Sequence, residues 1–166
     1  MKPAARKSHE LKDSGAYGIA IQIATRAKGV PPKSMLQRWA LAALRSKAEV
    51  TLRVVGLNEG HELNRRYRHG DYATNVLSFS YENEKSTGEK TTRKNFTRGD
   101  VVLCAPVVSR EARQQQKTLV AHYAHLTVHG LLHLQGFDHQ TQAEARLMEN
   151  REIRLLRDLG YANPYL

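Results

Sequence analysis

A single cysteine, Cys104, stands among 166 residues, so no internal disulfide can form. No run approaches the roughly 18 consecutive apolar residues needed to cross a bilayer, which excludes a membrane-spanning helix. Residues Met1 to Gly18 are basic and polar and lack the apolar middle of a secretory signal. These absences lead to the expectation of a cytoplasmic protein. Acidic residues are scarce as well: 16 Asp and Glu stand against 26 Lys and Arg, a net charge of +10 at neutral pH. Such a surface attracts polyanions, because each neutralised phosphate releases condensed counterions. It counts against a strongly basic partner. Charge alone leaves a nucleic-acid binder and an ordinary basic protein equally open.

Internal repeats and a convincing domain boundary are also missing. With 40% hydrophobic residues the chain can bury one core in one domain. The first sixteen residues carry Lys2, Arg6, Lys7 and Lys12 with little apolar periodicity, and read as a flexible basic arm. From Tyr17 to Thr25, Ile19, Ile21 and Ile23 alternate with smaller or polar residues, which predicts a strand. Gly29, Pro31 and Pro32 break it. Leu36, Trp39, Ala40, Ala43 and Leu44 then recur at helical spacing, predicting a helix over Lys33 to Ser46. A second strand is expected over Val50 to Gly56. Asn58 is a candidate cap for a helix running through Leu63 to Tyr67. A third strand follows at Asn75 to Tyr81, then a polar loop over Glu82 to Arg98, then a fourth strand at Asp100 to Cys104 that stops at Pro106. Helices are expected over Val107 to Gln116, Leu119 to Gln135 and Gln142 to Leu159, the last two closed by Gly136 and Gly160. Four strands mixed with about five helices predict a compact α+β domain over residues 17–166.

Five of the eight histidines lie between positions 122 and 139: His122, His125, His129, His133 and His139. Residues four apart share a helix face, with Cβ atoms about 5–6 Å apart. His129 and His133 can therefore bind one zinc, and the turn permitted by Gly136 can return His139 as a third ligand. Three histidines leave the fourth tetrahedral position open to water, the arrangement of catalytic rather than structural zinc. His125 and His129 are also four apart, but Gly136 is better placed to bring His139 beside His133. His125 is then a flanking residue or one that supports a ligand from behind, and His122 is expected at the surface. The competing reading is a solvated basic helix, or core histidines with ordinary hydrogen bonds.

The spacing H-x3-H-x2-G-x2-H is that of the metzincins, in which the residue after the first histidine is a glutamate acting as general base. Here that residue is Gly130. Without the carboxylate, peptide hydrolysis loses its usual route for proton transfer. Zinc still lowers the pKa of bound water to about 7, and a phosphodiester chiefly needs charge stabilisation that zinc and an arginine can supply. The missing glutamate argues against a protease, and the basic surface argues for a phosphate substrate.

The string His129-Gly-x-x-His133-x-x-Gly136-x-Asp138-His139 resembles that of the YbeY family of bacterial metal-dependent endoribonucleases. Leu57-Asn58 leading to Tyr67-Arg68, Thr74 to Phe79, Gly99 to Cys104, Leu159-Gly160-Tyr161 and Pro164-Tyr165 are similar to the family's as well. The resemblance spans about Val50 to Leu166. It implies a mixed four-stranded sheet with helices around it, and one zinc ion per chain on His129, His133 and His139. It implies cleavage of single-stranded RNA, with ribosomal RNA of the small ribosomal subunit as partner and a role in maturing its 3′ end. Neither a membrane nor a small-molecule cofactor is implied. Arg68 matches the arginine that the family places in its catalytic cleft, where a guanidinium would bind the scissile phosphate in two-point geometry. Asp138 is left between steadying a ligand histidine and bonding its own backbone. Asn75 and Ser78 are candidates for cleft contact or for packing, and Cys104 for the core. Two rivals stand beside the endoribonuclease: a non-catalytic, zinc-containing ribosome-assembly factor, and a metalloprotease, which Gly130 disfavours.

Overall fold

Period-two alternation in the first strand sets the orientation of the sheet. In the computed structural model, which describes residues 17–81 and 96–166, β1 (Tyr17–Ala24) turns Ile19, Ile21 and Ile23 inward and leaves Gly18, Ala20, Gln22 and Ala24 exposed. The basic arm expected over 1–16 and most of the polar loop, 82–95, lie outside the described residues. A helix, α1 (Lys33–Ala43), leads to β2 (Lys47–Val55), which lies parallel to β1 with Ile19, Ile21 and Ile23 opposite Val50, Leu52 and Val54. After α2 (Leu57–Arg68) come β3 (Val76–Ser80) and β4 (Phe96–Cys104). The order is β1-β2-β4-β3, with β4 parallel to β2 and β3 antiparallel to β4: a mixed four-stranded sheet.

One face of this sheet packs on α1 and on α4 (Leu119–Leu134). Trp39, Leu52, Leu103, Leu131 and Leu132 are buried there in one continuous core. The other face carries Val55, Leu77, Val102 and Cys104 against α2 and α3 (Ala105–Gln114). The last helix, α5 (Gln142–Asp158), lies against α4. No helix among the described residues is long and apolar enough to cross a membrane.

Several boundaries move from their expected places. β4 begins at Phe96 rather than Asp100, because Thr97 and Gly99 are buried while the exposed Arg98 and half-buried Asp100 line the opposite side. That polar outer side gave the stretch the look of a loop. Asn58 does not cap α2; the helix starts at Leu57 behind an extended Gly56, with no side-chain cap. α1 ends at Ala43, and Lys47 already belongs to β2. Pro106 stops no element by itself: it sits in the first turn of α3, where its missing N–H costs nothing. The expected stop at Gly136 does occur, with φ +89°. Gly136 N donates to His133 O at 3.0 Å and Phe137 N to Leu132 O at 3.1 Å, the paired bonds of a Schellman turn. Gly160, at φ +91°, ends α5 in the same way. A capping box of Thr141 and Glu144 starts α5, which turns Met148, Glu152, Leu155 and Leu156 inward.

Candidate metal centre and its cleft

His125, His129 and His133 occupy successive turns of one face of α4. The rings of His129 and His133 are 4.6 Å apart between centroids, and their Nε2 atoms are 3.1 Å apart. The Schellman turn at Gly136 reverses the chain and brings the His139 ring to 5.0 Å from His133 and 5.9 Å from His129. One nitrogen from each of the three lies within 4.8 Å of the others, so this group can hold a metal ion. His129 and His133 are half-buried and His139 is exposed.

The chemistry of the donors fits a cation. Two nitrogen ligands at about 2.0–2.1 Å from a tetrahedral ion stand about 3.3 Å apart, close to the observed Nε2 pair. His129 Nδ1 is 2.7 Å from Glu152 Oε1. Glu152 is fully buried. Burial by itself pushes its carboxyl up, but the neighbouring His125, His129 and Tyr165 side chains outweigh this and hold it down at about 2. A carboxylate only accepts hydrogen bonds, so the 2.7 Å contact turns His129 Nδ1 to Glu152 and leaves Nε2 facing His133 and the cleft. His133 is held below the ordinary histidine range, first by burial and then by the neighbouring His129 and His139. A neutral imidazole is the form that binds metal. A second group, His125, His129 and Glu152, also has the composition of a metal site. Its 2.7 Å Nδ1···Oε1 contact is a hydrogen-bond length, and Tyr165 already donates to Oε2.

The three histidines open onto a cleft of about 700 Å³ whose other wall includes Asn64, Arg68, Tyr72 and Thr74. Arg68 is exposed at the C-terminal end of α2, and its Nη2 donates to Ser78 O at 3.4 Å. His69, in the left-handed region at φ 58°, ends the helix behind it. Arg65 and Arg66 follow the same turn, and Tyr72 on the cleft wall is 65% exposed.

Gly130 is where the sheet meets α4. A Cβ there would lie 2.6 Å from Val101 Cγ1 and 3.2 Å from both Ser78 Oγ and Val76 Cγ2. Ser78 Oγ donates to Gly130 O at 3.0 Å. The position of the protease glutamate is thus filled by the floor of the sheet.

The cleft also contains Asn75, Ser78 and Asp138, and each is tied to protein. Asn75 Nδ2 donates to the Glu111 carboxylate at 3.0 Å, and its Oδ1 accepts from Val76 N at 2.7 Å. Asp138 Oδ1 accepts from His139 N at 2.8 Å, so it steadies the turn through backbone, the second of the two roles left open for it. His125 lies outside the cleft beside Glu152, 3.5 Å away. His122 is not at the surface: it is 3% exposed, with Nε2 2.9 Å from Glu111 Oε2. Cys104 is buried in the core, where burial raises its thiol, and Gly60 packs against it. Sequence reasoning missed Glu152, Tyr165 and Glu111. For Glu152 a signal existed: it is an acidic residue on the apolar stripe of Met148, Leu155 and Leu156.

Fold and site together define a class: an α+β domain with a mixed sheet, carrying a three-histidine group able to hold a metal ion beside an open cleft. The chain belongs to the YbeY family, whose profile, described as Endoribonuclease YbeY, matches residues 23–160. The Endoribonuclease YbeY of Nitrosospira multiformis is 52% identical over 153 residues, covering 89% of this chain and 80% of the relative. That of Aromatoleum aromaticum is 53% identical over 146 residues, covering 88% of each. The solution structure of TM1509 from Thermotoga maritima has the same fold, with a TM-score of 0.54 at 22% identity over 84% of this chain and 88% of that one.

Proposed function

We propose that this chain is a zinc-dependent endoribonuclease that hydrolyses single-stranded RNA, acting in ribosomal RNA processing at the 3′ end of the small-subunit RNA. The observation that carries this reading is the cleft itself: three histidines able to hold a metal share it with Arg68, and Gly130 stands where a protease has its base. Relatives about half identical over most of the chain bear the name endoribonuclease. The net charge of +10 suits an RNA partner.

On this reading His129, His133 and His139 would hold one zinc ion. A zinc ion supplies Lewis acidity there, lowering the pKa of a coordinated water and offsetting phosphoryl charge. Arg68 binds the scissile phosphate by its two-pronged guanidinium and stabilises the charge that develops on it. The exposed ring of Tyr72 on the cleft wall offers a face on which a base can stack. Residues 17–166 form the catalytic domain, with 1–16 as a basic arm, and the protein works in the cytoplasm on the small ribosomal subunit.

The test compares wild type with His133→Ala, purified in parallel, on a labelled single-stranded RNA with zinc. Cleavage by wild type that vanishes in the variant ties the activity to the histidine group and excludes a contaminating nuclease. Equal cleavage, or none in either, removes the catalytic reading and leaves a non-catalytic assembly factor as the better account.

A further inference from the structure

Glu152 is the one acidic residue that is fully buried among the described residues. A fully buried carboxylate costs several kcal/mol in lost hydration unless hydrogen bonds replace the water. Here two such bonds are made, and a third ring stands close by. His129 Nδ1 lies 2.7 Å from Oε1, the Tyr165 hydroxyl donates to Oε2, and His125 Nε2 stands 3.5 Å from Oε1. Tyr165 belongs to the chain that leaves α5 after Gly160 and folds back: Lys117 Nζ donates to Pro164 O, and the Tyr165 ring meets His125 edge-on with centroids 5.5 Å apart. The C-terminal segment is thus fastened both to the turn between α3 and α4 and to the carboxylate behind His129.

We infer that Glu152 is a positioning residue for the metal centre, fixing His129 as its Nδ1–H tautomer with Nε2 aimed at the cleft, and that Tyr165 holds Glu152 in place for that task. The inference rests on the three-histidine metal reading. It adds that residues of α5 and of the C-terminal segment set the affinity of the centre without touching the ion. At 2.7 Å, Oε1 stands where it can accept a hydrogen from Nδ1, and this contact holds the ring with Nε2 toward the cleft. Carboxylate partners of this kind typically contribute about 10–100-fold to metal affinity.

The experiment uses the full chain and the variants Glu152→Leu, Glu152→Gln and Tyr165→Phe. Zinc affinity and stoichiometry are read by competition with a chromogenic chelator. The His129 tautomer is read by nitrogen-15 NMR of the metal-free, histidine-labelled protein, and folding by its thermal midpoint. Wild type should bind one zinc and show His129 protonated on Nδ1. Glu152→Leu, which keeps volume but removes the acceptor, should bind zinc about 10–100-fold more weakly and show mixed tautomers while still folding. Glu152→Gln retains one acceptor oxygen and should lose less, and Tyr165→Phe less again. Should Glu152→Leu fail to fold, the other two variants still carry the comparison. Wild-type affinity and an unchanged tautomer in all three would overturn the inference, as would two zinc ions per chain, since the second would lie on Glu152 itself. Wild type that binds no zinc would sink the metal reading together with this one. Normal zinc effects without RNA cleavage would sink only the endoribonuclease.

Discussion

Gly130 offers the sharpest test of why this chain lacks the protease glutamate. A methyl group added there would sit 2.6 Å from Val101 Cγ1, closer than any real contact, with Ser78 Oγ and Val76 Cγ2 at 3.2 Å. Val101 is fully buried and β-branched, so it cannot swing aside. Overpacking of this kind costs about 1–3 kcal/mol. Alanine in place of glycine inside a helix recovers roughly 0.5–1 kcal/mol. Gly130→Ala should therefore be destabilised by up to about 2.5 kcal/mol, with a fall in melting temperature of about 2–4 °C per kcal/mol for a chain of this size. Gly130→Glu adds a longer side chain with a charge, against a buried valine and a Ser78 hydroxyl already committed to Gly130 O. Several further kcal/mol follow if the carboxylate stays buried, a large share of a total of about 5–15 kcal/mol. Urea unfolding of the metal-free variants, alongside zinc binding and hydrolysis of a peptide library, measures each part. Wild-type stability in Gly130→Glu would refute the steric account. Peptide hydrolysis by that variant would go further, showing that only the missing base separates this cleft from a protease.

Two other perturbations follow from the geometry. Arg68→Ala should lower kcat for RNA cleavage by about 10²–10³-fold with zinc affinity unchanged, and Arg68→Lys should recover only part, because an ammonium lacks the two-point fork; wild-type turnover in Arg68→Ala would remove this role. His122 is held below its ordinary value of 6.5, chiefly by burial and against the pull of Glu111. Below pH 6.5 the unfolded chain therefore takes up a proton that the folded state refuses, and stability falls as pH falls. Burial gives His133 the same sign. His122→Gln, which can still bond Glu111, should make the metal-free protein less acid-sensitive in this window, and an unchanged dependence of unfolding free energy on pH would refute the assignment.

What could be read in advance was local. Ile19, Ile21 and Ile23 declare a strand because its side-chain period is two, and their partners in β2 share it. The histidine spacing places His129 and His133 together because a helix makes neighbours of residues four apart, and the glycine that lets the chain turn back stands in the same short string. What was not legible depended on distant partners. Glu152 lies 23 residues from His129, and nothing in α4 announces that α5 will set a carboxylate behind it. His122 looked like a surface residue until α3 supplied Glu111 to receive its proton. The start of β4 was hidden because the side of the strand bearing Arg98 and Asp100 is polar, so composition spoke for a loop while pairing with β2 and β3 made a strand.

The relation between core and histidines bears on what a metal would do here. A structural zinc closes its site with four protein ligands and often supplies the folding energy of the domain that holds it. This sheet is already closed on both faces, by Trp39, Leu131 and Leu132 on one side and by Val55, Val102 and Cys104 on the other, and none of the three histidines belongs to either cluster. They sit at the rim, where His139 is exposed and the shared cleft is open. The group offers three ligand atoms, and the Glu152 carboxylate lies behind His129, on its Nδ1, instead of filling a fourth position. An ion held this way would find no fourth ligand in that group among the described residues. A buried charge retained behind a ligand, in a fold whose core closes without contacts to the three histidines' ion, is better explained by chemistry in the cleft than by stability.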